Sequence, residues 1–262
     1  MRGLVSNPKS TKGRSKMRLT LLGTGDAVGT PKIGCNCPAC EDARNGGKSQ
    51  RLRSSILVES DKGKILIDTS PDLRQQFLKQ NLSCIDGVIW THGHYDHYSG
   101  FGEFYRVQNK VDVYGVRETL EYINRYVSFL KPRYHYVKLY EPFELIGLQF
   151  TLFKVNHPPV EVPAGVVIRE GNKKIVITGD TNSEIPEASL ELMKNPDLLI
   201  ADAIVPPNIH IKKHMNSEEA MALAEQLNAK EVALTHLSHL FRPHNIEALF
   251  LPLGYDGQVF EF

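Results

Sequence analysis

Thr91-His92-Gly93-His94-Tyr95-Asp96-His97 places three histidines and an aspartate within seven residues. The stretch follows directly on Asp86-Gly87-Val88-Ile89-Trp90, an apolar run that reads as a buried strand. A structural histidine needs one hydrogen-bond partner, so packing accounts for one of these side chains and leaves the others. Neutral imidazoles and carboxylates are donors for zinc, manganese or iron, and crowding them at a strand end is what a metal centre requires. Two histidines separated by one residue point the same way in extended backbone, while Asp96 and His97, where the chain turns, address a second position. One loop can serve two ions.

Three further side chains stand at the ends of apolar runs. His157 follows Leu152-Phe153-Lys154-Val155-Asn156, Asp180 follows Ile175-Val176-Ile177-Thr178-Gly179, and His236 follows Val232-Ala233-Leu234-Thr235. Sites on α/β scaffolds gather at strand ends, and this shared placement is the reason to group them. His92, His94, Asp96, His97, His157, Asp180 and His236 then supply three ligands to each of two divalent ions and one carboxylate to bridge them. Two ions ~3.5–4 Å apart can activate a hydroxide at neutral pH and stabilise attacking and leaving oxygens, so the favoured chemistry is hydrolysis.

Strand-like runs dominate the chain: Arg18 to Leu22, Ser55 to Glu59, Lys64 to Ile67, Gly87 to Trp90, Val111 to Tyr114, Leu148 to Val155, Gly165 to Arg169, Lys174 to Thr178, Leu198 to Ala201, Glu231 to Thr235 and Gln258 to Glu261. Helices are expected at Asp72 to Gln80, Arg117 to Leu130, Glu187 to Lys194 and Asn216 to Leu227, with a short turn near Asn245 to Phe250. Asn216 and Glu219 form a capping pair, and Ala220, Met221, Leu223, Ala224 and Leu227 make one apolar stripe. The order of elements suggests an α/β (α+β) chain with two sheets face to face and helices outside.

The 262 residues carry 31 basic and 30 acidic side chains, a balance that gives no whole-chain argument for a long nucleic-acid partner. No apolar run reaches the roughly 18 residues of a membrane helix, so neither a membrane nor a spanning segment is expected. Residues 1–16 hold five basic side chains and no acid, and read as a basic extension or arm ahead of a domain over 17–262. Cys35, Cys37 and Cys40 fall within six residues, which suits one metal ion better than disulfides and favours a reducing, cytoplasmic setting. A closed zinc site needs a fourth ligand, for which His239 is the candidate. Cys84 stands alone and reads as a small buried apolar side chain.

With these motifs the chain resembles the metallo-β-lactamase superfamily, on Leu66-Ile67-Asp68-Thr69, Thr-His-Gly-His-Tyr-Asp-His, His157, Gly179-Asp180-Thr181 and Thr235-His236. The resemblance implies an αββα sandwich in which His92, His94 and His157 hold one metal, Asp96, His97 and His236 the other, and Asp180 bridges. Asp68 would orient the ligand loops. The cysteine cluster, Leu22-Gly23-Thr24-Gly25, His214 before a helix and the His-x-x-His ending are similar to the PhnP-type phosphodiesterases of carbon–phosphorus lyase pathways. That likeness implies a structural zinc on Cys35, Cys37, Cys40 and His239, and a catalytic pair of ions, manganese expected and zinc the alternative.

It also implies small cyclic substrates, a phosphoribosyl cyclic phosphate or 2′,3′-cyclic nucleotides, attacked by hydroxide activated between the two ions. Asp96 and His214 would be the catalytic residues, His214 contacting phosphate or assisting the leaving group. A homodimer is compatible with the family. Rival readings are a transfer-RNA 3′-end endonuclease, disfavoured because 22 residues between His157 and Asp180 leave little room for an RNA-gripping arm, a thioester hydrolase, and a pyrroloquinoline-quinone biosynthesis protein. Tyr105, Arg106, Arg133, Tyr134 and His135 are candidates for the pocket, with a surface role the alternative.

Overall fold

The structure, a computed structural model, describes residues 17–262, and the basic segment 1–16 lies outside the described residues. The first sheet contains β1 (Arg18–Gly23), β2 (Ser55–Ser60), β3 (Gly63–Ile67), β4 (Gly87–Ile89), β5 (Asp112–Gly115) and β6 (Arg133–Tyr136), closed at its far edge by β13 (Val259–Glu261). The second contains β7 (Pro142–Leu145), β8 (Leu148–Lys154), β9 (Ala164–Glu170), β10 (Lys173–Ile177), β11 (Leu198–Asp202) and β12 (Val232–Thr235). Strand order is β13-β1-β2-β3-β4-β5-β6 in one and β12-β11-β10-β9-β8-β7 in the other.

Period-two alternation divides each strand between two cores. Ile65 and Ile67 of β3 face the second sheet and join Leu19, Leu21, Ile56, Phe150, Leu152, Val166, Ile175 and Ile200 in one buried layer. Leu66, between them, faces outward and packs with Val88, Trp90 and Val113. That outer layer is covered by α2 (Leu73–Lys79) through Leu73 and by α4 (Arg117–Val127) through Leu120, Ile123 and Val127. On the other side Val167, Val176, Leu199 and Leu234 are covered by α5 (Glu187–Met193) and by α6 (Ser217–Gln226), which lays down Ala220, Leu223 and Ala224. The result is the expected αββα sandwich. The Asn216 side chain accepts from the Glu219 amide and the Glu219 carboxylate accepts from the Asn216 amide, completing the predicted cap.

Several elements depart from the expectation. Arg133–Tyr136 and Pro142–Leu145 are four-residue edge strands; the first is mostly exposed, and in the second Phe143 and Leu145 alternate with exposed Glu144 and pack half-buried against the layer between the sheets. Proline at the start of β7 is tolerated because an edge strand has no ladder bond to lose there. Two short helices, α1 (Pro38–Arg44) and α3 (Tyr95–Tyr98), form inside the cysteine and histidine motifs themselves. The expected helix to Leu130 ends at Val127 and finishes as a 3-10 turn. Cys84 is exposed, not buried, because it lies in the loop between α2 and β4 and not in a strand.

The loop from Thr24 to Leu52 is tied to the C-terminal region by a buried guanidinium. Arg51 donates to the Thr24 hydroxyl at 2.8 Å and to the Gly254 carbonyl at 2.6 Å, and reaches Nδ1 of His244 at 3.2 Å. His244 opens the short helix α7 (His244–Glu247). Burial, then the charges of Arg51 and Lys48, push the His244 imidazole down to about 4, in keeping with an Nδ1 that accepts from Arg51.

Two outcomes are expected. Phe150→Ala, at a position with no exposed surface between the sheets, should cost about 3–5 kcal/mol in denaturant unfolding. The His244 contribution to stability is fully present above the unfolded histidine pKa near 6.5 and is lost as pH falls toward about 4. Unfolding midpoints followed across that window should drop, and His244→Gln should flatten the drop.

Candidate metal centre

The parallel pairs β3/β4 and β10/β11/β12 bring their C-terminal ends to one edge of the sandwich. Asp68 follows β3, Thr91 and His92 follow β4, Asp180 follows β10, Asp202 ends β11 and His236 follows β12. His157 arrives from the loop after β8. Two of the site residues carry backbone strain: Asp68 at φ 60° and His236 at φ 57° both sit in the left-handed region, which L side chains seldom adopt. Gly179, at φ 62°, lets the chain turn into Asp180, and a Cβ there would also meet the Ala164 carbonyl at 2.8 Å.

Two donor sets meet at one oxygen. In the first, Nδ1 of His94 lies 3.1 Å from Nε2 of His92 and 3.0 Å from Nε2 of His157, with Asp180 Oδ2 at 3.6 and 3.8 Å from the latter two. In the second, Nε2 of His97 lies 3.3 Å from Asp96 Oδ2 and 3.2 Å from Asp180 Oδ2, while Nε2 of His236 lies 3.5 and 3.3 Å from the same atoms. An ion bound tetrahedrally through bonds of about 2.1 Å holds its donors roughly 3.4 Å apart. The spacing therefore fits one ion per set, with Asp180 shared. His97 Nε2 and His236 Nε2 are buried and take no hydrogen bond, which is costly unless a cation fills the gap.

The outer nitrogens decide which nitrogens face inward. The Thr91 hydroxyl donates its one proton to Asp68 Oδ2 at 2.7 Å, so His92 Nδ1, 3.0 Å away, must donate to Thr91 and leave Nε2 free. His97 Nδ1 donates to Asp68 Oδ2 at 2.7 Å and His157 Nδ1 to the Lys213 carbonyl at 2.8 Å. Each fixed tautomer aims an Nε2 lone pair at the site, the arrangement that supports metal ligation.

Electrostatics splits the two sets. Burial, the largest effect, lowers His92 well below its ordinary value and brings His94 down and His157 to about 4. Burial also opposes charge on His97 and His236, but the carboxylates around them outweigh it: Asp180 and Asp96 raise His97 well above its usual range, and Asp180, Asp96 and Asp202 hold His236 up to about 9. Burial likewise opposes ionisation of Asp180, yet His236 and His97 keep it well below the usual carboxylate range.

The cysteine cluster forms a separate group. Sγ of Cys35 and Sγ of Cys37 each lie 3.5 Å from Nδ1 of His239, and Cys40 joins them with all four donor atoms within 4.8 Å of one another. Donors of one tetrahedral zinc, with about 2.3 Å to sulfur, would show this spacing. His239 stands three residues beyond His236 on the loop after β12, whose Leu237 exchanges backbone hydrogen bonds with Thr24 and Asp26. The cluster thus braces the loop that carries His236.

Residues 64–237 match the model of the beta-lactamase superfamily domain. The chain belongs to the beta-lactamase superfamily. Within it, a structure described as a new diphosphatase from the PhnP family is 31% identical, with a TM-score of 0.83 over 94% of this chain and 97% of that one. An octanoyltransferase of Porphyromonas gingivalis is 31% identical over 92% of this chain and 51% of its own length. Coenzyme PQQ synthesis protein B of Xanthomonas campestris pv. campestris is 31% identical over 59% of this chain and 56% of its own. The chain spans about half the length of the curated relatives it matches.

All seven dinuclear candidates, the four of the cysteine cluster and Asp68 come together in this superfamily member as described. His214 joins them, its ring 4.6 Å from that of His157 and 4.9 Å from that of His236. The residue that sequence reasoning missed is Asp202. It is fully buried, accepts from His214 Nδ1 at 2.7 Å and from the Thr181 amide at 2.9 Å, and approaches His236 Nδ1 at 3.9 Å. The signal was available: Asp202 ends an apolar run just as Asp180 and His236 do.

The five pocket candidates do not reach the site. Arg133 and His135 pair with Asp112 on the edge strand, Tyr134 bonds Asn124, and Tyr105 and Arg106 line a different cavity with Phe129 and Lys131. Residue type alone does not say which sheet edge a side chain occupies.

Asp68→Asn should remove the acceptor that orients His97 and lower the affinity of the second ion by about 10–100-fold in metal titrations. Cys40→Ser should lose one tightly held ion per chain by elemental analysis while the dinuclear pair still loads.

Proposed function

We propose that this chain is a metal-dependent phosphodiesterase that opens small cyclic phosphodiesters, a phosphoribosyl cyclic phosphate or a 2′,3′-cyclic nucleotide, to phosphomonoesters. The observation that carries the reading is the shared oxygen of Asp180 between two three-residue donor sets, with the Asp202–His214 pair beside them. Likeness to a PhnP-family diphosphatase along nearly the whole chain supports phosphorus as the centre attacked. The residues fit two divalent ions at the histidine and aspartate sets and one zinc at the cysteines.

When bound, a divalent pair supplies Lewis acidity toward phosphate oxygens and makes hydroxide available at neutral pH. The protein's own part is positional. Asp68, Thr91 and the Lys213 carbonyl fix three imidazoles, so the donors need no rearrangement when phosphate arrives. The oxygen of water becomes bonded to phosphorus as a water proton passes to solvent, and one ester P–O bond breaks. His214, its Nδ1 held by Asp202, gives the departing alkoxide a proton from Nε2 and recovers one from solvent.

The transfer-RNA reading has little support in this chain, since the segment between His157 and Asp180 is taken up by the hairpin of β9 and β10. The octanoyltransferase relative favours testing an acyl thioester as a second substrate class. The test is to purify the protein without added metal, count manganese, zinc and iron per chain, and assay 2′,3′-cyclic AMP, bis(p-nitrophenyl) phosphate and an octanoyl thioester. One tight and two exchangeable ions with diester turnover are expected, and thioester turnover without diester turnover would overturn the proposal. His214→Ala should slow 2′,3′-cyclic AMP by about 10²-fold or more. The activated p-nitrophenyl ester, which departs without a proton, should lose far less.

A further inference from the structure

A cavity of about 300 Å³ adjoins the first donor set. Gly93 and His94 of the histidine loop form one side, Glu118 and Tyr122 of α4 a second, and Val160 and Glu161 of the loop after His157 a third. Tyr122 is held directly on the histidine loop: a Cβ at Gly93 would come within 2.5 Å of its ring, so glycine at that position is what admits it. Tyr122 stays 41% exposed as a residue and forms a tyrosine cluster with Tyr126 and Tyr98, with the Arg125 guanidinium 5.8 Å from its ring centre. Neither the Glu118 nor the Glu161 side chain takes an ion pair or hydrogen bond from the described residues.

These groups define what fits. Ionised carboxylates only accept hydrogen bonds, so the cavity selects hydroxyl and amino donors and repels a second anion. An exposed tyrosine ring offers a stacking face to a planar base. The volume lies at the small end of ligand sites, enough for one nucleoside and not for a polynucleotide. The phosphate of such a ligand would lie on the His94 side, next to the donor sets.

We infer that the cavity beside His94 is a nucleoside subsite, in which Tyr122 stacks on the base and Glu118 and Glu161 accept from hydroxyl or amino groups. The inference rests on the phosphodiesterase reading and narrows it. Between the two proposed substrate classes the cavity favours a 2′,3′-cyclic nucleotide, whose remainder is uncharged. A phosphoribosyl cyclic phosphate would bring a further phosphate toward two carboxylates.

Adenosine separates the subsite from the chemistry because it carries no phosphate to bind metal or be cleaved. Its affinity would be measured by calorimetry or ligand-observed NMR on the full metal-loaded chain. The wild-type protein should bind it, Tyr122→Ala should weaken binding by about fivefold or more, and Tyr122→Phe should retain it. The Glu118→Gln, Glu161→Gln double variant should shift the kcat/KM ratio toward phosphoribosyl cyclic phosphate over 2′,3′-cyclic AMP by about tenfold. No adenosine binding, or binding unchanged in Tyr122→Ala, would overturn the subsite even if diesters are cleaved. Adenosine binding that follows Tyr122 in a protein that cleaves no diester would keep the subsite and remove the phosphodiesterase reading instead.

Discussion

Oδ2 of Asp180 faces four imidazole nitrogens at 3.2–3.8 Å inside a buried pocket. No hydrogen-bonding arrangement of one carboxylate oxygen satisfies four ring nitrogens, and two of them, Nε2 of His97 and of His236, take no hydrogen bond at all. A buried cluster of this kind holds together only if positive charge sits among the donors, as protons on some rings or as cations. Much else in the molecule brings these groups together and holds them away from water: the parallel strand ends, the left-handed residues Asp68 and His236, and the outer hydrogen bonds that set the tautomers.

The frame is rigid where the site needs it. Ile65 and Ile67 lock β3 to the second sheet while Leu66 locks it to the helices, so Asp68 leaves a strand held on both faces. His236 is braced differently, by the cysteine cluster and by the Thr24 loop, which Arg51 ties to the C-terminal region. Two supports thus converge on the second donor set, one through Asp68 after β3 and one through the loop between β1 and β2. Tolerances of a few tenths of an ångström at a metal site follow from this kind of over-determination.

The nucleoside subsite we infer sits outside that frame. The Tyr122 and Glu118 side chains come from the exposed face of α4 and Glu161 from a loop, all beyond the packed core. Chains with the same histidine frame can therefore differ in what they cleave by changing a few surface positions, and superfamily membership leaves the ligand open.

Strands with one or two apolar faces were legible from residue order, because burial imposes a period on side chains. The edge strands Arg133–Tyr136 and Pro142–Leu145 were not, since the first is mostly exposed and the second is four residues long, with Phe143 and Leu145 alone marking its inner face. The seven donors were legible because each ends an apolar run or shares one loop, and strand ends are where such a sandwich exposes chemistry. Asp202 obeys the same rule, ending the run Leu198-Leu199-Ile200-Ala201. Its partner His214 lies twelve residues away and meets it only after β11 and the loop before α6 fold back together. The amino-acid sequence by itself determined the sandwich, the donor set and the cysteine cluster, for these follow from local periodicity and residue type. Tertiary structure alone decided which nitrogen of each histidine faces inward and that Gly93 seats Tyr122 beside the site, because those depend on contacts between residues far apart in the chain.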